Sequence, residues 1–229
     1  MVDSPSYARQ AYNVEINELE HDLLDMGSRA EQMIGQAVDA LCSLDVVLAR
    51  AVMLRDDEID ERDLAIEARC LRLLALQQPM AGDLRTVGTA MKMITDIERV
   101  ADLAVDIAKI ALKVEKEFGE TSFIDIPKMA KVARSMFHEA LEAYVHRDLA
   151  RVQEVCDRDE EVDALYRELR TQIFDNMRAH PELVVADGWL LLAIHHVERI
   201  ADHAVNIAER VNFMVTGEFK QLSRKVDSP

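Results

Sequence analysis

The chain has 229 residues, with 43 acidic against 27 basic side chains and a formal net charge of −16. Such a charge repels a nucleic-acid phosphate backbone, and no basic face is segregated in the sequence, so nucleic-acid binding is excluded. Hydrophobic residues make up 49% and aromatics only 5%, a mix that fills a core and suits long helices rather than many short strands.

Ser4 or Ser6 caps a first helix, whose apolar stripe is Leu19, Leu23, Met26, Ala30, Met33, Ala37 and Leu41. It ends near Cys42–Leu44. Asp45 caps a second helix with the stripe Leu48, Val52, Ile59, Ile66, Leu73 and Leu76. This helix is expected to run unbroken to Gln78-Pro79, because the residue before a proline avoids helical angles. A third starts at Pro79–Asp83 and runs through Val87, Met91, Ile94, Ile97, Ala101, Ala104 and Ala108 towards Lys116. The break Phe118–Ile126 contains Gly119 and leads into Pro127. A fourth helix carries Met129, Ala133, Met136, Ala140, Leu141 and Tyr144. A fifth runs from Asp148 to Arg178 and stops at His180-Pro181. The sixth begins at Glu182 or Asp187 and ends near Val215, with Gly217 as terminator.

The pattern repeats. Residues 98–108 read ERVADLAVDIA and residues 198–208 read ERIADHAVNIA, one hundred positions apart. Val52–Asp60 likewise matches Val155–Asp163. The fold class is therefore all-α, with two tandem three-helix bundles from an internal duplication, six long helices and an elongated body. The first repeat is placed at 1–120 and the second at 121–229.

Cys42, Cys70 and Cys156 are widely spaced and form no CxxC motif, which argues for reduced thiols rather than a disulfide framework or thiolate metal site. The polar start MVDSPSYARQ is no secretory signal. Apolar runs such as Trp189–Ile194 fall far short of the ~20 residues that span a bilayer. A cytoplasmic protein without a membrane span is expected.

At roughly 100° per residue, Met93, Ile97, Val100, Ala101, Ala104 and Ala108 share the core side of the third helix. Glu98, Asp102 and Asp106 stack on the opposite side. Glu198, Asp202 and Asn206 repeat the ladder in the sixth. Asp56 and Asp60, and later Asp159 and Asp163, add acid pairs four apart on the second helix of each half. Acid over acid costs an isolated helix roughly 0.2–0.5 kcal/mol per pair. Neighbouring helices would bring two ladders to one strip. Several carboxylates without thiolates select a hard cation. The alternative is a solvated acidic face with Arg99 and Arg199 as local ion-pair partners.

His195, His196 and His203 have no counterparts in the third helix. They either tune a transition-metal preference or serve as surface and interface residues. Only Glu18-Leu19-Glu20-His21 has Glu-x-x-His spacing, so an interior di-iron site is not expected. Asp83 suits the start of a helix dipole, and Arg85 is free to reach a partner or an anion. No phosphate loop, nucleophilic triad or dinucleotide fingerprint is present, so no catalytic residues are assigned and no enzyme is expected.

Three features together resemble the PhoU family of phosphate-specific transport system accessory proteins over nearly the whole chain. They are QQPMAGDLR (77–85), the twin ERxAD segments and the acid-x-x-x-acid repeats. The resemblance implies paired three-helix bundles whose E(D)xxxD motifs bind divalent or iron-type metal ions (Fe, Mn, Mg or Zn), singly or as multinuclear clusters. Those motifs fall on Asp56/Asp60 and Glu98/Asp102, with Asp106 extending the ladder, and on Asp159/Asp163 and Glu198/Asp202. Asn206 breaks the second ladder. The resemblance further implies a negative regulator of the phosphate-starvation response, acting between the ATPase of the phosphate ABC transporter and a sensor histidine kinase. A homodimer is expected. The rival expectations are a carboxylate-site hydrolase or oxidase that uses metal, and a metal-free helical scaffold.

Overall fold

In the computed structural model the apolar stripes become, among the described residues, seven helices: α1 Ser4–Ser43, α2 Val46–Met53, α3 Asp56–Gln77, α4 Gly82–Phe118, α5 Ile126–His146, α6 Leu149–Ala179 and α7 Val184–Thr216. A single 3₁₀ turn, Pro181–Leu183, joins α6 to α7. The structure describes residues 4–77, 79, 81–118 and 124–222, and among these there is no strand. The side chains of Ser4 and Ser6, the backbone of Gln78, and the 120/121 boundary lie outside the described residues.

The turns that start the second rod of each half are built alike. Leu44 and Arg147 adopt left-handed backbone angles, φ 51° and 53°. The next residue, Asp45 or Asp148, sends its N–H back to the carbonyl of Ala40 or Ala143. This closes the end of the preceding helix. The same aspartate then caps the next helix. Asp45 accepts from the amides of Val47 and Leu48, and Asp148 from those of Ala150 and Arg151.

The rods pack as expected, with two corrections. The second rod of the first half is not continuous. It breaks at Leu54–Arg55, where the N–H of Arg55 bonds the carbonyl of Val52 in a tighter turn. Arg55 then reaches Gln36 of α1 at 3.0 Å, and Asp56, Asp57 and Glu58 begin α3. Three acids in a first turn favour a fresh helix start through the dipole. The second correction is Leu76, which is 72% exposed rather than part of the core.

The other stripes are buried. Leu19, Leu23, Met26, Ala30, Met33 and Ala37 are fully enclosed, as are Met129, Ala133, Met136, Ala140 and Tyr144. One continuous core runs through both halves. Its spine is α4 against α7. Arg85 Nε donates to the carbonyl of Met214, Thr89 Oγ1 to that of Arg210, and Lys113 lies 4.1 Å from the ring centre of Trp189. These pairs run in opposite directions, so α4 and α7 are antiparallel along their lengths. The register carries Val100 and Ile200, equivalent positions of the repeat, to the middle of the crossing; both are fully buried. Each contributes about 1.5–3 kcal/mol by leaving water. Ala101, Ala104 and Ala108, with Ala201, Ala204 and Ala208, keep neighbouring helices close.

Candidate functional site

With the core side of α4 turned inward, its acids face outward beside α3. The two rods bring Asp56 and Asp60 against Glu98 and Asp102, and the electrostatics record the meeting. Burial raises the pKa of Asp56, and the carboxylates of Asp102 and Asp60 raise it further, while Lys109 opposes them. Burial also raises that of Glu98. Asp102, Asp63 and Asp60 add to this rise against Arg99. Asp56 and Glu98 therefore each sense carboxylates of the neighbouring helix.

Asp106 lies one turn further along α4, bonded to Lys109 at 2.9 Å. Arg99 spans Glu98 at 3.4 Å and Asp102 at 2.9 Å. The strip is thus partly neutralised by cations of its own helix. Among the described residues, neither Asp56 nor Asp60 has such a cation in ion-pair contact.

Sequence reading stopped the α3 ladder too early. Asp63 belongs to it: burial raises its pKa, and Glu67 and Asp60 push in the same direction. The signal was present, since 56, 60, 63 and 67 recur at four, three and four on one helix face. In the second half Tyr166 and Arg170 stand at the matching positions, and Arg170 lies over the Tyr166 ring at 5.6 Å. The second strip is shorter at that end.

In the second half Asp159 and Asp163 ride on α6, and Glu198 and Asp202 on α7. Arg199 bonds Asp202 at 3.2 Å, as Arg99 does Asp102. His195 Nδ1 lies 2.8 Å from Glu198. The other two histidines face the opposite half. His203 Nδ1 is 2.9 Å from Asp96 Oδ1, and Asn206 donates to the same oxygen at 3.3 Å. Asp96 and His203 are only 14% and 12% exposed in their side chains. Burial lowers the pKa of His196, while Asp106 of α4 pulls the other way. Asp96 gave no signal in the sequence, because its partner sits on another helix 107 positions away.

The remaining expectation concerned Arg85. Its guanidinium caps the C-terminal end of α7 and lies 3.7 Å from where a Cβ on Gly217 would stand. Gly217 itself has φ 77°, the left-handed angle that ends the helix. Arg85 is a cross-half cap.

By type, carboxylate oxygens are the donors that hard divalent cations take. The strip offers oxygen ligands only, and burial, with neighbouring carboxylates behind it, raises the proton affinity of Asp56 and Glu98. Among the described residues, no three His, Cys, Asp or Glu side chains are gathered closely enough to close around an ion. Ligation would require Arg99 and Arg199 to swing off Asp102 and Asp202. At 58% and 48% exposure, both arginines have room to do so. Among the described residues no helix is long and apolar enough to cross a membrane.

The architecture and sequence have close parallels. The PhoU domain pattern matches twice, at residues 23–111 and 126–211. A PhoU homologue of Clostridium acetobutylicum, described as a phosphate-specific transport system accessory protein, is 36% identical over 92% of this chain and 96% of its own. One from Caulobacter vibrioides is 35% identical over 91% of each chain. The crystal structure of PhoU from Pseudomonas aeruginosa superposes with a TM-score of 0.86 at 32% identity, covering 90% of this chain and 100% of that one. The phosphate transport system regulatory protein PhoU from Streptococcus pneumoniae gives 0.85 at 31% identity, covering 91% and 99%. Two domain matches, curated relatives at this identity and shared helical architecture place the chain in the PhoU family.

Proposed function

We propose that this chain is a metal-binding, non-enzymatic adaptor of phosphate transport. It acts in the cytoplasm as a homodimer and damps high-affinity phosphate uptake and the phosphate-starvation response. Its partners in this reading are the ATPase of the phosphate ABC transporter and a sensor histidine kinase. The transport role rests on the relatives, whose names describe accessory proteins of a phosphate-specific transport system.

The observation that carries the metal reading is the meeting of the two ladders. Burial raises the pKa of both Asp56 and Glu98, and carboxylates of the neighbouring helix add to it, Asp102 for Asp56 and Asp63 and Asp60 for Glu98. Selection for solubility alone would scatter acids rather than concentrate them at such a cost. The cations proposed are Fe, Mn, Mg or Zn, as single ions or small clusters. The ligands proposed are Asp56, Asp60, Glu98, Asp102 and Asp106 in one half, and Asp159, Asp163, Glu198 and Asp202 in the other.

The adaptor reading is tested by co-purifying the chain with each partner in detergent, with and without Mn²⁺. Retention of the ATPase or the kinase supports it; loss of both under every metal condition rejects it. A metal-free scaffold is favoured by one observation, the ion pairs of Arg99, Lys109 and Arg199 with ladder acids. Calorimetry with Mn²⁺, Mg²⁺, Zn²⁺ and Fe²⁺ separates the two: heat and a raised melting temperature favour metal, and silence with all four favours the scaffold.

A further inference from the structure

Helix α3 buries Ile59, Ile66, Cys70 and Leu73 along one side. The opposite side carries a second apolar stripe, which stands in water. Leu64, Ala68, Leu71 and Ala75 recur at four, three and four, and all four are exposed, the leucines at 65% and 52%. Single exposed leucines are ordinary. A stripe of three turns, ~16 Å long, is the footprint of a docked helix.

The charges around this stripe are sorted. The cations of α3 turn towards α1: Arg62 pairs with Asp25, Arg69 with Glu18 at 2.6 Å and Asp22 at 3.2 Å, and Arg72 with Glu15 at 3.5 Å. The acids stay outside. At roughly 100° per residue, Asp60 and Glu67 border the stripe on one side and Glu61 on the other, with Asp57 at its head. Among the described residues, none of these four acids has an ion-pair partner, whereas Glu58 beside them is held by Arg29 of α1 at 3.0 Å.

The internal duplication supplies a control. With Val52 matched to Val155, α6 places Arg167, Thr171, Phe174 and Arg178 at the four stripe positions. There Arg167 holds Glu160, the counterpart of Asp57, at 2.6 Å, and Arg178 holds Asp175 at 2.6 Å. That is how a helix that only faces water neutralises its acids. Helix α3 has Leu64 where α6 has Arg167, and its acid is left unpaired.

We propose that the outer face of α3 docks an amphipathic helix of a partner protein, whose apolar stripe lies on Leu64 and Leu71 and whose Lys or Arg residues meet Asp57, Asp60, Glu61 and Glu67. The inference deepens the adaptor reading and rests on it; it does not require that any acid holds a metal. Charge selects the occupant. A cationic helix covers the leucines and neutralises the unpaired acids together. A second copy of this chain does not: its α3 brings the same acids, and its Arg167 and Arg178 are paired at home. One helix on one stripe falls at the small end of interfaces, below about 1,200 Å², which suits a contact that exchanges.

The test titrates the full chain against a labelled synthetic helix with leucines on one stripe and lysines on both flanks, read by fluorescence anisotropy at low and high salt. A helix with glutamates in place of the lysines is the control probe. The lysine helix should bind and the glutamate helix should not. Leu64→Gln with Leu71→Gln should weaken binding of the lysine helix on the order of tenfold. Glu61→Gln with Glu67→Gln should weaken it on the order of threefold at low salt and less at high salt. Phe174→Gln, the matching change on α6, should leave it unaltered. All these positions are exposed, so the variants keep the fold, which circular dichroism checks. A leucine variant that binds the lysine helix as tightly as the unmodified chain, or no binding by the unmodified chain, would overturn the proposal. So would self-association of the chain that the leucine variant abolishes, since a second copy would then occupy the face. Co-purification with the transporter ATPase and the kinase separates this proposal from the reading beneath it. Equal retention of either by the unmodified chain and the leucine variant would overturn the face and leave the adaptor standing; loss of both from the unmodified chain would remove the two together.

Discussion

Arg85 Nε donates to the main-chain carbonyl of Met214 at 3.0 Å, joining the start of one long helix to the end of another 129 positions later. The last carbonyls of a helix have no partner within it. Arg85 supplies one from the other half, and its charge suits the negative pole of α7. Arg85→Ala should therefore destabilise the chain by about 1–2 kcal/mol in denaturant unfolding. Arg85→Lys should recover only part of this, because an ammonium lacks the fork of donors. Wild-type stability in Arg85→Ala would show that the cap contributes nothing.

Asp96 and His203 tie the same two helices near their crossing, both largely screened from water. Removing one partner leaves the other poorly solvated. Asp96→Ala and His203→Ala should each lower stability by about 1–3 kcal/mol. A double-mutant cycle should give a coupling of at least 0.5 kcal/mol, the usual floor for contacting residues. Strict additivity would mean that the pair is incidental.

The raised pKa values of Asp56, Asp63 and Glu98 have a definite sign. A carboxyl group whose folded pKa lies above its unfolded value binds its proton more tightly when folded. Stability linked to it therefore falls as pH rises from the unfolded through the folded pKa, and returns on acidification. At neutral pH these acids weaken the metal-free fold. Asp56→Asn should then raise the melting temperature at pH 7 by ~2 °C, a small shift because the group is partly solvated. The gain should shrink on acidification, as Asp56 takes up its proton. A loss of stability at pH 7 would mean that Asp56 is held by an attraction rather than crowded by its neighbours.

Much of this was legible before any coordinates. The stripes Leu19–Leu41 and Met129–Tyr144, the cap Asp45, the helix start near Asp148 and the end at Gly217 all follow from local rules, because each depends on residues within a turn or two. The break at Leu54–Arg55 was not legible. Nothing in the apolar period is interrupted there, and the bond from Arg55 to Gln36 depends on a helix earlier in the chain. The acids were placed on the correct face by their spacing. Their ties to Arg99 and Lys109 lie within one turn and were partly foreseeable. Those of His203 to Asp96 and of Arg85 to Met214 were not, since both depend on how α4 crosses α7.

The acids also bear on metal affinity. A cation competes with protons for Asp56 and Glu98, whose pKa values are raised, and must draw Arg99 off Asp102. Mn²⁺ affinity should therefore fall as pH drops from 7 to 5. Arg99→Gln should tighten it at low salt, with the gain shrinking as salt rises. An Arg99→Gln protein that binds Mn²⁺ more weakly would assign the arginine a supporting role instead.

The most direct measurement is the metal content of protein purified without chelator, set against a variant in which Glu98, Asp102, Glu198 and Asp202 are all alanine. The account predicts bound Fe, Mn, Mg or Zn in the wild type and its loss in the variant, with helical content preserved by circular dichroism. Equal metal content in the two proteins, or a wild type that stays bare after incubation with each ion, would contradict it.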